Sequence, residues 1–246
     1  MASSSNRDFK SSPSSRLLRV AQSLLRLSGR DYEISADLPA RYLVGEMASR
    51  GTQLLRGCVR FRTFSFIGSS VKIRGIDRLL IKRGVSIGSG TIIDARSKNG
   101  VVLGEGSRLG RRGIITTTSH LSLMGAGVTM GARSGIGDYF HLGASGGITI
   151  GENVIVGPFF TVHSQEHVFS DPSRPIRDQG THESAVTIGA DCWIGSRVTI
   201  LAGAKIGPRT VIASGAVVRG EHPGHEILAG IPARSIRDLR GVHDGG

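Results

Sequence analysis

"IGADCWIGSRVTILAGAKIGPRTVIASGAVVRG", residues 188–220, places an aliphatic residue at every sixth position: Ile188, Ile194, Ile200, Ile206, Ile212 and Val218. Six is a multiple of the strand period of two, so these side chains can all point inward from short strands, and the small residues beside them permit tight corners. An amphipathic helix would need apolar spacings of three and four. The period continues upstream in Met130, Ile136 and Leu142, then, out of phase by two, in Ile150, Val156 and Val162; Ile87, Leu103 and Leu109 keep it more loosely. A repeat this short, running from about Phe64 to Val218, predicts a solenoid in which three strands make one coil, an all-β parallel β-helix.

Composition agrees with a turn-rich repeat. Glycine supplies 36 of 246 residues with no Gly-X-Y period. The balance of charge, 31 − 19 = +12, favours acidic partners: nucleic acid, an anionic membrane surface or a phosphorylated ligand. The two cysteines, Cys58 and Cys192, are too few for a disulfide framework or a cysteine zinc site within one chain. No apolar run approaches membrane-span length, and the N-terminus lacks the features of a signal peptide. The expected home is the cytoplasm, with the inner membrane surface as a place where a basic segment would adsorb.

Four segments are expected. Residues 1–15 are Ser-rich and read as a disordered tail. Residues 16–62 read as a basic helical region: Leu17, Leu18, Ala21, Leu24 and Leu25 fall at helical spacing with Arg16, Arg19 and Arg26 on other faces, and a second helix follows Asp37 and Pro39, weakened by Gly45, Gly51 and Gly57. Residues 1–62 hold eleven Lys/Arg against five Asp/Glu, 11 − 5 = +6, half of the excess charge. This region either caps the solenoid or contacts an anionic bilayer. Residues 63–220 form the β-helix, with a loop at 163–186, and residues 221–246 a C-terminal tail segment.

The loop is visible as an interruption. Val162 and Ile188 are 188 − 162 = 26 positions apart where the repeat needs six, so twenty extra residues leave the coil. Functional residues concentrate in such extrusions from rigid scaffolds. "SQEHVFSDPSRPIRDQGTHE", residues 164–183, is rich in chemistry: His167 and His182, with His163 just before them, and Asp171, Arg174 and Arg177, which either pair within the loop or reach an anionic acceptor.

The run from 188 to 220, followed by "ILAGIPARSIRDL" at 227–239, resembles the hexapeptide-repeat acyltransferases, particularly the sugar O-acetyltransferase branch that includes maltose and galactoside acetyltransferases. The likeness is dense over about residues 148–240 and looser over 64–147. It implies a left-handed β-helix, a homotrimer, and acetyl-CoA as donor to a hydroxyl of a sugar or glycan precursor at a site between subunits. "ENVIVGPFFTVHSQEH", residues 152–167, matches the family's approach to its catalytic histidine, which assigns the general base to His167. An imidazole suits proton removal near neutral pH. By the same resemblance the main-chain N–H of Ser196 in "WIGS" is the oxyanion donor and Trp193 walls the site. Arg234 and Arg237 match arginines that bind the adenosine end of the cofactor. Arg219 is a further candidate for the phosphates, and the small residues Ala202, Gly203, Ala213 and Ser214 for a pantetheine channel. No second base or nucleophile elbow accompanies Ser196, so transfer is expected to be direct.

Two competing classes follow from the residues. A γ-type carbonic anhydrase would use His141, His163 and His167 as zinc ligands across a subunit interface, but "WIGS" and "AGIPAR" fit acyl transfer better and no metal is expected. A non-catalytic β-helix binding nucleic acid is disfavoured by an aromatic content of 5% and the lack of a basic-aromatic stripe. The maltose-type relatives lack the basic helical start, which makes a lipid-linked or polysaccharide-precursor acceptor attractive.

Overall fold

The computed structural model describes residues 18–23, 33–35, 38–120 and 123–241. The tail at 1–15, the cap at Asp37, and Arg16, Leu17, Leu24, Leu25 and Arg26 lie outside them; residues 18–23 are helical.

Three parallel sheets close into a three-sided coil. The first face stacks Phe66–Ile67, Ser86–Ile87, Arg108–Leu109, Gly135–Ile136, Ile155–Val156, Trp193–Ile194, Val211–Ile212 and Glu226–Gly230. The second stacks Lys72–Arg74, Ile92–Asp94, Ile114–Thr116, His141–Gly143, Thr161–His163, Thr199–Ile200 and Val217–Val218. The third stacks Leu79–Ile81, Val101–Leu103, Val128–Met130, Ile148–Ile150, Val186–Ile188, Lys205–Ile206 and Glu221–His222. Each strand pairs with its equivalents one coil away, so Ile194 stands beside Ile212 and Val162 beside Ile200. The six aliphatics of the opening stretch all point inward and are buried, two per face. Each such burial is worth about 1.5–3 kcal/mol. The two-residue slip in phase is absorbed by a single strand: Ile148 and Ile150 lie at the two ends of Ile148–Ile150 and both face the core.

The glycine after the aliphatic residue serves a purpose other than turn conformation. Gly110 and Gly137 are not at positive φ, but a Cβ on Gly110 would sit 2.3 Å from the Gly137 carbonyl oxygen of the next coil. Coil-to-coil approach demands the missing side chain. Left-handed backbone comes two residues later, at two of the three corners: Arg133, Asn153, Asp191 and Arg209 take it between the third and first faces, and Arg112, Tyr139, Phe159 and Arg197, with φ of 54°, 59°, 60° and 58°, between the first and second. Left-handed non-glycine residues cost about 1–3 kcal/mol each unless their surroundings hold them. The four between the first and second faces stack along the coil axis. The Arg112 guanidinium lies 5.8 Å from the Tyr139 ring centre, Tyr139 and Phe159 are parallel at 5.2 Å, and the Arg197 guanidinium lies 4.8 Å from the Phe159 ring centre.

The excursions at 95–100, 117–127 and 164–185 all leave at the corner between the second and third faces. At the other end of the chain, residues after 220, expected as a tail segment, add Glu221–His222 to the third face and Glu226–Gly230 to the first; Ala233–Asp238 then folds back antiparallel on the latter. The helix Ala40–Phe61 packs on the first coil. Arg56 and Arg60 donate from Nη1 to the carbonyls of Ile67 and Val71, both at 3.3 Å. Gly57, a poor helix former, lies at the closest backbone approach to the coil, where a Cβ would collide with the Ser65 carbonyl oxygen.

Candidate active site

The loop is an antiparallel hairpin. Gln165–His167 pairs with Thr181–Glu183, with His167 opposite Thr181 and Glu166 opposite His182. Its base is stapled to the coil by two serines, Ser164 and Ser184, that no motif or spacing singles out. The buried Ser164 Oγ donates to the Gly143 carbonyl at 2.8 Å and accepts the Gly146 N–H at 2.9 Å. The Ser164 N–H also donates to the Gly143 carbonyl at 2.9 Å, and the Ser184 N–H donates to the Ser164 carbonyl at 3.0 Å. The distal part is organised by Gln179, whose Nε2 donates to the carbonyls of Asp171 and Arg174 at 2.8 and 2.9 Å while its Oε1 accepts the Asp171 N–H at 3.0 Å.

His167 is exposed at the edge of this hairpin, and its ring makes no hydrogen bond or ion pair to any described residue. Neither nearby carboxylate orients it. Glu166 is the adjacent strand residue and so projects to the opposite side, and Asp171 accepts from the N–H and Oγ of Ser173 at 2.9 and 2.6 Å, bonds that hold its carboxyl below the usual range. Among the loop arginines, Arg177 reaches Asp178 at 3.7 Å, and Arg174 Nη2 donates to the Asp178 carbonyl. His182 Nε2 lies 3.0 Å from Ser184 Oγ.

Ser196 sits at the other edge of the second face, at the corner with the first. Its N–H donates to Ser214 Oγ at 3.1 Å. The same device recurs along the corner, from the Ser69 N–H to Ser89 Oγ at 3.1 Å and from the Arg111 N–H to Asp138 Oδ1 at 2.7 Å, so this bond also belongs to the coil's own construction. Trp193 projects from the first face, 59% exposed, between Ile155 and Val211.

The small residues expected to share one channel fall at two corners. Gly203 adjoins the hairpin base, its N–H donating to the Ser184 carbonyl at 3.3 Å, with Ala202 beside it. Ala213 and Ser214 lie one coil beyond Ser196. Arg219 is exposed just before the last strand of the third face, and its carbonyl lies 3.2 Å from His222 Nε2. Arg234 and Arg237 are exposed on the terminal antiparallel strand, opposite Ala229 and Ile227. Of the histidines weighed as zinc ligands, His141 and His163 adjoin with ring centres 5.8 Å apart, while His167 is carried off on the hairpin. Among the described residues no group of three or more His, Cys, Asp or Glu side chains is arranged to hold a metal ion.

The described residues thus form a parallel β-helix of three faces, built on a six-residue repeat, with the hairpin of His167 at one corner. Residues 185–220 match the bacterial transferase hexapeptide model, six repeats, and longer stretches of the chain are similar in sequence to known acetyltransferases. It is 32% identical over 161 residues to a probable acetyltransferase of Mycobacterium tuberculosis, covering 65% of this chain and 52% of that protein. It is 33% identical over 109 residues to a putative lipopolysaccharide biosynthesis O-acetyl transferase of Escherichia coli, covering 42% of this chain and 56% of that protein. The chain thus spans about half the length of these curated relatives. The crystal structure of a polysialic acid-specific acetyltransferase superposes with a TM-score of 0.56 at 21% identity, over 72% of this chain and 76% of that one, a likeness of fold.

Proposed function

We propose that the protein is an acetyl-CoA-dependent O-acetyltransferase acting on a hydroxyl of a sugar or glycan precursor, built as a left-handed β-helix and working as a homotrimer. The observation that carries this is the placement of an exposed imidazole, His167, on a hairpin stapled to a rigid coil. His167 removes the hydroxyl proton as the oxygen attacks the thioester carbonyl. The oxygen of the tetrahedral intermediate takes the Ser196 N–H in exchange for Ser214 Oγ. Collapse breaks the C–S bond, and the proton passes from the imidazolium to the leaving sulfur. Arg234 and Arg237, with Arg219, hold the phosphorylated adenosine; Trp193 lines the approach, and Ala202, Gly203, Ala213 and Ser214 leave room for pantetheine. These groups lie at different corners of one chain, which supports a site completed by a neighbouring subunit.

The domain division goes with this reading: a helical N-terminal region, the coil with its hairpin as catalytic body, and a terminal strand for the cofactor. Among the described residues no helix is long and apolar enough to cross a membrane. The helix Ala40–Phe61 does leave Leu55 and Val59 65% and 75% exposed, which supports contact between the N-terminal region and an anionic bilayer at the inner membrane surface of the cytoplasm, where a lipid-linked acceptor would be met.

His167→Ala tests the mechanism. Loss of a general base costs about 10²–10⁴-fold in rate, so kcat should fall by that order with acetyl-CoA affinity unchanged, and the limb of kcat/KM that rises with pH should vanish. Light scattering should report three chains. An intact His167→Ala assembly with near-full turnover refutes the mechanism; if His163→Ala abolishes turnover instead, only the assignment of the base is wrong.

A further inference from the structure

Between the hairpin corner and the Ser196 corner, the second face carries two imidazoles that the chemistry above does not use. Leu142 and Val162 are buried, so His141 and His163 project outward from successive coils. In the register His141 stands beside Thr161, and His163 beside Gly143. Position 143 has no side chain, and the rings lean together over it, centres 5.8 Å apart with planes at 57°. A Cβ there would lie 3.6 Å from His141 Cε1 and 3.9 Å from His163 Nδ1. Gly143 is not at positive φ, and a Cβ on it would lie 3.3 Å from the Val162 carbonyl oxygen, a tight contact but a far weaker demand for glycine than the 2.3 Å clash at position 110. What its absent side chain provides is a notch. On the preceding coil Thr116 stands beside Gly143, and Ile114, 41% exposed, beside His141.

We propose that this notch is the acceptor subsite, in which His141 and His163 hold two adjacent hydroxyls of an uncharged sugar ring whose C–H face rests on Ile114. The word acceptor rests on the acetyl-transfer reading; the sugar site itself stands on the notch. A neutral imidazole offers one N–H donor and one lone pair, and a hydroxyl is likewise both donor and acceptor, so two rings and a vicinal diol satisfy one another without adding a proton. An apolar floor with a few convergent polar groups is the usual make-up of a small-molecule site. A carboxylate or phosphate would need donors from both rings and therefore a charged pair. Burial, and then the neighbouring His163, hold the His141 pKa below the ordinary imidazole value, which opposes that charge.

Saturation-transfer NMR on the full chain at neutral pH tests this with neutral methyl pyranosides and, in parallel, glucuronate and glucose 6-phosphate, while calorimetry follows acetyl-CoA on the same samples. Neutral pyranosides should receive saturation, and His141→Phe and His163→Phe should each weaken them about tenfold, the value of one hydrogen bond to a polar ligand group. Gly143→Ala should abolish binding with the oligomer intact, and acetyl-CoA affinity should hold in all three variants. Binding of the anionic sugars alone, no pyranoside binding, or pyranoside affinity unaffected by both phenylalanine variants overturns the subsite. A wild-type protein that binds pyranosides through the notch but not acetyl-CoA supports the subsite and refutes the acetyl-transfer reading.

Discussion

Replacing Ser164 by alanine isolates the attachment of the hairpin from its chemistry. The hydroxyl makes two bonds, donating to Gly143 at 2.8 Å and accepting from Gly146 at 2.9 Å. The Gly143 carbonyl keeps a donor in the variant, because the Ser164 N–H also reaches it at 2.9 Å. The Gly146 N–H loses its acceptor in a half-buried position. A lost net hydrogen bond is worth about 0.5–1.5 kcal/mol and an orphaned buried donor about 1–3 kcal/mol; with partial solvation of Gly146 the sum is about 2 kcal/mol. Such a loss multiplies the open population of the hairpin by about 30. Hydrogen exchange at 165–167 and 181–183 should therefore accelerate by about that factor, while the coil strand Thr199–Ile200 keeps its wild-type protection. Unchanged exchange in the hairpin, or equal acceleration throughout the coil, would refute the idea that this serine is its hinge.

Two further outcomes follow from the proposed cofactor and membrane contacts. Arg234→Ala should raise the KM for acetyl-CoA more than it lowers kcat, because a contact remote from the reacting carbonyl holds ground and transition states alike; steady-state kinetics with a short acetyl thioester lacking adenosine should show little change. Vesicles containing anionic lipid should retain the protein at low salt and release it as salt rises, and neutralising Arg16, Arg19 and Arg26 should weaken the association; retention that ignores salt and these substitutions would leave residues 16–62 as a cap on the coil.

The coil was legible because its period is a direct image of its cross-section. Ile188 to Val218 advance one face per hexad, and all six are buried. The excursion at 164–185 was legible as a gap in that period. Its interior was not: the side chains of Ser164 and Gln179 act through two and three hydrogen bonds to backbone groups brought near by the fold, and no periodicity announces such partners. Turn geometry, the role the sequence suggests for the glycines, is not what demands them after the aliphatic residues: the clash at Gly110 is with a residue 27 positions later, across a coil junction. The candidate site was legible as types of residue and not as an arrangement. Ala202 and Ala213 look alike in sequence, each a small residue after an aliphatic one, yet they stand at different corners because eleven residues, 213 − 202, carry the chain past the third and first faces.

That separation of corners bears on how the proposed site is completed. From Ser196 to Gly203 the chain crosses the second face through the strand Thr199–Ile200, a path on the order of 15 Å when part of it is extended. Gly203 adjoins the base of the hairpin that carries His167. A general base works within about 3 Å of the proton it takes, and an oxyanion donor within about 3 Å of the developing charge. One thioester carbonyl cannot satisfy both across such a face unless the hairpin folds back along it, and Ser164 and Ser184 fix the base at the far corner. The economical arrangement sets the hairpin corner of one chain against the Ser196 corner of another. The notch at Gly143 then lies on the same face as both edges, on the coils that precede and launch the hairpin, where an acceptor held by His141 and His163 would need only a short reach to His167.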